Sequence, residues 1–222
     1  MKLCVCLSEA WRQQWPDYID KADLLELRID LMFSDGVTVN QMTDTLKPLL
    51  LENSQKIVLT CRTGNISQEM RLTLFLSLLP CTPAYIDIEY DTPPRFSTPL
   101  YEAAKKNGVR VIASYHHLDT MPDLTRLRAI TENALLGGAD LVKIVTRCHD
   151  ATDEARLLSL YREPRFAHRI IAFSLGPYAL TSRLHAAASG APILYVAPDN
   201  GAVTAPGQPR FTQFSAHLLN IY

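Results

Sequence analysis

Short apolar runs of strand character recur along this chain, and stretches with helical spacing separate them. The runs are Leu3 to Leu7, Leu24 to Leu31, Lys56 to Arg62, Ala84 to Glu89, Arg110 to His116, the lysine-bearing run within Ala139 to Asp150, Arg169 to Gly176 and Pro192 to Ala197. Connections of this length suit parallel strands joined by crossover helices. Eight such units favour a closed (βα)8 TIM barrel, a single α/β domain over residues 1–222, with lean loops and no room for an insertion. No G-x-G-x-x-G follows a strand, which argues against an open nucleotide-binding sheet.

The helical stretches are uneven in quality. Glu9 to Lys21 is poorly patterned and interrupted at Pro16. Thr38 to Leu50 places Val39, Met42, Leu46 and Leu49 at helical spacing. After the third run, Asn65 and Gln68 can cap a helix whose stripe is Leu72, Phe75, Leu76 and Leu79. Further helices are expected over Thr98 to Asn107, Asp123 to Leu136, Thr152 to Tyr161, Tyr178 to Ser189 and Phe211 to Leu219.

Composition narrows the partners. A net charge of -1 and 47% hydrophobic residues fit a soluble domain with a full core. This balance gives no reason to expect nucleic acid or a membrane surface as partner. No segment has the apolar length of a membrane span, and MKLCVCLSEAW lacks the signature of a signal peptide. The five cysteines, odd in number and mostly on strands, read as reduced thiols of a cytoplasmic protein. Cys4 and Cys6 have no matching His/Cys pair, so no metal site is expected.

Functional groups of a barrel collect at the C-terminal ends of its strands. The last inward candidates on consecutive strands are Arg28, Arg62, Glu89, His116 and Lys143. A lysine among apolar neighbours is either an ion-paired residue or a nucleophile able to form a Schiff base with a ketone. His116, with an unperturbed pKa of about 6.5, suits proton transfer at the adjacent carbon. Its parity with Ile112 and Ser114 favours it over His117 as the inward residue. Glu89 can hold the other imidazole nitrogen, and arginines offer planar forks to a carboxylate. The set points to a lysine-dependent lyase, aldolase or dehydratase acting on a small carboxylated keto compound.

Seven segments then occur in order: ELRID from Glu26, TCR from Thr60, IDIE from Ile86, SYHH from Ser114, VKI from Val142, SLGPYALTSR from Ser174 and TAPGQ from Thr204. With them the chain resembles the type I 3-dehydroquinate dehydratases over essentially its whole length. The resemblance implies a (βα)8 barrel that converts 3-dehydroquinate to 3-dehydroshikimate in the shikimate pathway, without metal or cofactor. It implies Lys143 as the Schiff-base lysine, His116 as general base and Glu89 as the carboxylate that orients it. Glu26, Arg28 and Arg62 are implied as substrate contacts, Arg183 as the clamp on the substrate carboxylate, and Thr204 with Gln208 as part of a closing loop. A homodimer is a frequent habit of the family. Departures from the family pattern are His117 beside the histidine, the TGNIS loop after Arg62, Cys6 for a strand-one serine, Thr204 for a loop serine and Leu175 for a methionine. Two other readings stand beside this one: a Schiff-base aldolase acting on a sugar phosphate, and a barrel that binds a metabolite without catalysis.

Overall fold

A computed structural model of the chain describes residues 1–33, 36–64 and 66–219. Its strands are β1 (Lys2–Leu7), β2 (Leu24–Arg28), β3 (Ile57–Thr60), β4 (Tyr85–Glu89), β5 (Arg110–His117), β6 (Leu141–Arg147), β7 (Ile170–Leu175) and β8 (Ile193–Val196). The helices are α1 (Trp11–Tyr18), α2 (Ile29–Met32), α3 (Val39–Asn53), α4 (Gln68–Leu78), α5 (Pro94–Lys106), α6 (Leu124–Leu136), α7 (Ala151–Leu158), α8 (Ala179–Ala188) and α9 (Phe211–Leu219). The strands pair in the order β7-β6-β5-β4-β3-β2-β1-β8, and every ladder is parallel. The result is the expected TIM barrel, nearly closed.

Alternation along each strand divides the molecule into two apolar regions. Outward residues such as Val5, Leu25, Leu27, Leu59, Ile86 and Leu194 pack beneath the helices. Inward residues such as Cys4, Leu24, Val58, Tyr85, Ile112, Leu141, Ile171 and Ile193 fill the bore. The charged inward residues predicted from parity sit above that apolar floor, towards the C-terminal mouth.

Several local expectations are corrected. The second strand ends at Arg28, not Leu31; the backbone turns into α2, and Arg28 folds back onto Asp30 with a two-pronged contact, Nε to Oδ1 at 3.1 Å and Nη2 to Oδ2 at 2.7 Å. In α4 the buried side is Arg71, Leu74, Phe75 and Leu78, while Leu76 is exposed. Leucines on every side of that helix left periodicity unable to choose, and the inward turn of Arg71 decides it. The cap of α4 is Ser67, whose hydroxyl accepts from the Met70 amide at 3.2 Å; Asn65 lies outside the described residues. Elsewhere α1 continues through Pro16, and α5 begins at Pro94, where the ring occupies a first-turn position that needs no N–H donor. Among the described residues no helix is long and apolar enough to cross a membrane.

The start of α3 is fastened by a capping box. Thr38 Oγ1 accepts from the Gln41 amide at 3.3 Å, and Gln41 Oε1 accepts from the Thr38 amide at 2.9 Å. Thr38→Ala is expected to lower stability by about 1 kcal/mol, read as a shifted denaturant midpoint with an unchanged slope. An unmoved midpoint would show that this cap does not support the fold.

Candidate active site

Parity places Lys143 at the centre of β6, pointing into the bore beside Ser114 on β5 and Ile171 on β7 in register. Its side chain is almost fully buried. An ammonium there needs partners, because apolar walls do not replace its hydration. The fold supplies two carboxylates: Glu26 Oε1 lies 3.2 Å from Nζ and Asp87 Oδ2 3.3 Å. The Tyr195 ring closes the remaining side, its centroid 3.8 Å from Nζ. The lysine is therefore both buried and ion-paired, as one of the two readings of its sequence has it.

Both carboxylates are themselves held. Thr60 Oγ1 donates to Glu26 Oε1 at 2.9 Å, and the Ser114 hydroxyl donates to Asp87 Oδ1. Burial alone would push the Glu26 carboxyl up, but the charges of Lys143, Arg28 and Arg62 outweigh it and hold its pKa at about 2. Asp87 was not among the residues singled out from sequence, although it shares the inward face of β4. Selecting only the last inward residue of each strand passed over it in favour of Glu89.

Above Lys143 opens a cavity of about 240 Å³, lined by Glu26, Arg28, Arg62, His116, Lys143, Arg183, Thr204 and Gln208 among others. All the sequence-nominated residues but Glu89 therefore meet in one chamber. Glu89 Oε2 accepts from the Thr63 amide at 3.0 Å and from Thr63 Oγ1 at 3.2 Å, and pairs with Arg71 Nη2 at 2.9 Å. The expected Glu89–His116 hydrogen bond is absent among the described residues, because the inward-turned Arg71 of α4 and the loop after β3 occupy the carboxylate. His116 instead meets Arg62, with Nη2 to Nε2 at 2.7 Å. Burial, then the charges of Arg62, Lys143 and Arg28, press its pKa well below the ordinary histidine value.

Arg183 rises from α8 into the seam between β7 and β8. Its Nε donates to the Tyr195 carbonyl at 3.0 Å, and Nη1 donates to the carbonyls of Ser174 at 3.1 Å and Ala179 at 2.7 Å. The guanidinium carbon stands 3.9 Å above the Phe173 ring. Only 1% of the residue is exposed, and no carboxylate pairs with it among the described residues. Burial pulls its pKa down to about 9. A buried cation on the wall of a cavity, held by carbonyl dipoles and an aromatic face and with no carboxylate partner among the described residues, suits an anion.

The loop after β8 forms the roof. Gln208 Oε1 accepts from the Thr204 amide at 3.1 Å and from Thr204 Oγ1 at 2.9 Å, while Gln208 Nε2 lies 3.2 Å from Cys6 Sγ. The Pro206 carbonyl accepts from the Gly176 amide at 3.0 Å, fixing the roof to the end of β7.

A family model described as Type I 3-dehydroquinase matches residues 3–221. The chain belongs to this family. A 3-dehydroquinate dehydratase of Pyrococcus abyssi is 36% identical over 194 residues, covering 84% of this chain and 82% of the relative. One of Syntrophobacter fumaroxidans is 27% identical over 227 residues, covering 97% and 94%. The crystal structure of the 3-dehydroquinate dehydratase from Aquifex aeolicus is similar at a TM-score of 0.83 and 27% identity, covering 100% of this chain and 99% of that one.

In this type I dehydroquinase chain the roof depends on one glycine. Gly207 has φ +73, and a Cβ there would stand 2.5 Å from the Gly176 carbonyl oxygen and 2.9 Å from Ala179 Cβ. Both the left-handed backbone and the close approach exclude a side chain. Gly207→Ala is expected to detach the roof without unfolding the barrel, so that limited proteolysis within residues 201–208 accelerates while the melting temperature moves little. Unchanged cleavage would mean that the roof is held by something else.

Proposed function

We propose that this chain dehydrates 3-dehydroquinate to 3-dehydroshikimate through a Schiff base on Lys143. The observation that carries the reading is the meeting of a buried lysine, a histidine and a buried arginine without a carboxylate partner in one small chamber at the C-terminal mouth of the barrel.

The chemistry follows from these positions. The substrate carries an anionic carboxylate and a ketone on one ring. Arg183 gives the carboxylate a desolvated fork, whose planar donors fix orientation as well as charge. Oriented in this way, the ketone lies over Lys143. Proton transfer to a neighbouring carboxylate or water frees the amine, which adds to the carbonyl carbon; loss of water leaves a protonated imine. That cation keeps the charge relation that the ammonium had with Glu26 and Asp87, so the two carboxylates stabilise the intermediate as they stabilised the lysine.

The imine draws electrons from the neighbouring C2–H bond. His116 takes the C2 proton, and the bonding pair forms an enamine. As the C1–oxygen bond breaks, the enamine pair moves back to form the C1–C2 double bond and regenerate the imine. The proton on His116 leaves with the hydroxyl as water. Hydrolysis of the imine releases product and restores the lysine. Glu26, Arg28 and Arg62 offer polar contacts to the ring hydroxyls, and the Thr204–Gln208 roof keeps stray water from the imine. Glu89 acts at a distance: through Thr63 and Arg71 it anchors the segment that carries Arg62. A cytoplasmic biosynthetic enzyme is the setting this reading implies, and the five free, buried cysteines support it.

Borohydride added with 3-dehydroquinate is expected to fix a product adduct on the Lys143 peptide, seen as a mass increase. An adduct on no peptide, with no conversion of the substrate, would end the dehydratase assignment. His116→Ala is expected to reduce kcat by about 100-fold or more while still permitting imine trapping. Undiminished turnover in that variant would move the base elsewhere, with His117 as the nearest alternative.

A further inference from the structure

The contact between Arg62 and His116 carries more than proximity. A guanidinium has donors and no acceptor, so the 2.7 Å contact requires that Arg62 Nη2 donates and His116 Nε2 accepts. A nitrogen that accepts carries no proton. The imidazole is therefore neutral with its proton on Nδ1, and the lone pair of Nε2 is already occupied.

The surroundings leave little to oppose this arrangement. Of the charged groups that face His116, Arg28 comes from β2, Arg62 from the segment after β3 and Lys143 from β6, and all three are cationic. Glu26 is engaged by Lys143 and Thr60, Asp87 by Lys143 and Ser114, and Glu89 by Thr63 and Arg71. No carboxylate hydrogen-bonds to His116 among the described residues, so the histidine–carboxylate dyad expected from the sequence is replaced by a histidine–arginine pair.

We infer that Arg62 is a gate on the base of the proposed dehydration: it occupies the Nε2 lone pair of His116 in the empty site and gives it up when substrate oxygens draw the guanidinium away. This inference rests on the proposed dehydratase chemistry and adds a positioning role for Arg62. The gate fits the chamber, since Arg62 and His116 line it together with Lys143 and Arg183. A hydroxyl or alkoxide-like oxygen on the substrate is a better acceptor for a guanidinium than a ring nitrogen pressed among cations. Once Arg62 turns to that oxygen, Nε2 is bare and neutral beside the C2–H bond. The proton passes from C2 to Nε2 and the pair enters the enamine, so no proton has first to be cleared from the base. An empty site holds its base covered; a filled site uncovers it.

The test is long-range proton–nitrogen NMR on the intact protein labelled at its histidine ring nitrogens, with the His116 signals assigned by loss in His116→Gln. In the free protein at neutral pH, Nδ1 is expected to be the protonated nitrogen and Nε2 the unprotonated acceptor. Borohydride-trapped adduct is expected to shift the Nε2 resonance as Arg62 leaves it. In Arg62→Met the single tautomer is expected to give way to a mixture, and the acid limb of kcat/KM to move to higher pH as one cation is removed. A proton on Nε2 in the free wild-type protein would overturn the gate, whether or not the variant folds. So would an Arg62→Met variant whose ring signals and acid limb stay in place. Failure of the dehydratase reading is separate: it is a missing adduct on Lys143, and the tautomer of the free protein is measured without substrate.

Discussion

An ammonium inside a barrel decides much of what surrounds it. Lys143 Nζ is placed by β6 where water is scarce, so the strands facing it must return what hydration would have given. Glu26 from β2, Asp87 from β4 and the Tyr195 ring from β8 do so. Each carboxylate then needs its own second contact, and Thr60 and Ser114 provide them. One charge thus calls inward residues from β2, β3, β4, β5, β6 and β8 into a single network. The same network is what the proposed imine requires, because the charge it carries sits where the ammonium sat.

Above this hub the balance turns positive. Arg28 is tied to Asp30 and Arg62 to the His116 ring, while Arg183 meets carbonyl oxygens and the Phe173 face and no carboxylate among the described residues. A cluster of guanidinium groups lining a chamber of about 240 Å³ is well suited to a small anion. In the proposed reading the substrate carboxylate is the partner of Arg183, and the substrate's hydroxyl oxygens are the acceptors for Arg62. In that reading, binding and activation of the base are one event, not two.

Much of this was legible from residue order because a strand reports its own faces. Period-two alternation placed Glu26, Arg28, Glu89, His116 and Lys143 on the inner side, and the structure brings all of these but Glu89 into the chamber. What alternation does not report is where a strand stops: Asp30 has inward parity, yet the chain turns after Arg28 and Asp30 becomes its partner. Helix α4 was opaque for another reason, since leucines on all its sides leave the buried face to be chosen by tertiary contacts. That choice brings Arg71 to Glu89 and so removes Glu89 from His116, a consequence no local pattern carries. Asp87 was within reach, one inward step below Glu89, but a reading that took only the final inward residue of each strand missed it. Arg183 was visible only through likeness to relatives, because its role depends on the seam its helix lies against.

The claim beneath all of this is that Lys143 and the facing carboxylates act as one unit. A double-mutant cycle on Lys143→Met and Asp87→Asn, followed by denaturant unfolding, tests it most directly. Removing the lysine alone strands a buried carboxylate, so the second substitution should recover part of the loss, with a coupling of about 1–3 kcal/mol. Losses that simply add, within about 0.5 kcal/mol, would contradict it.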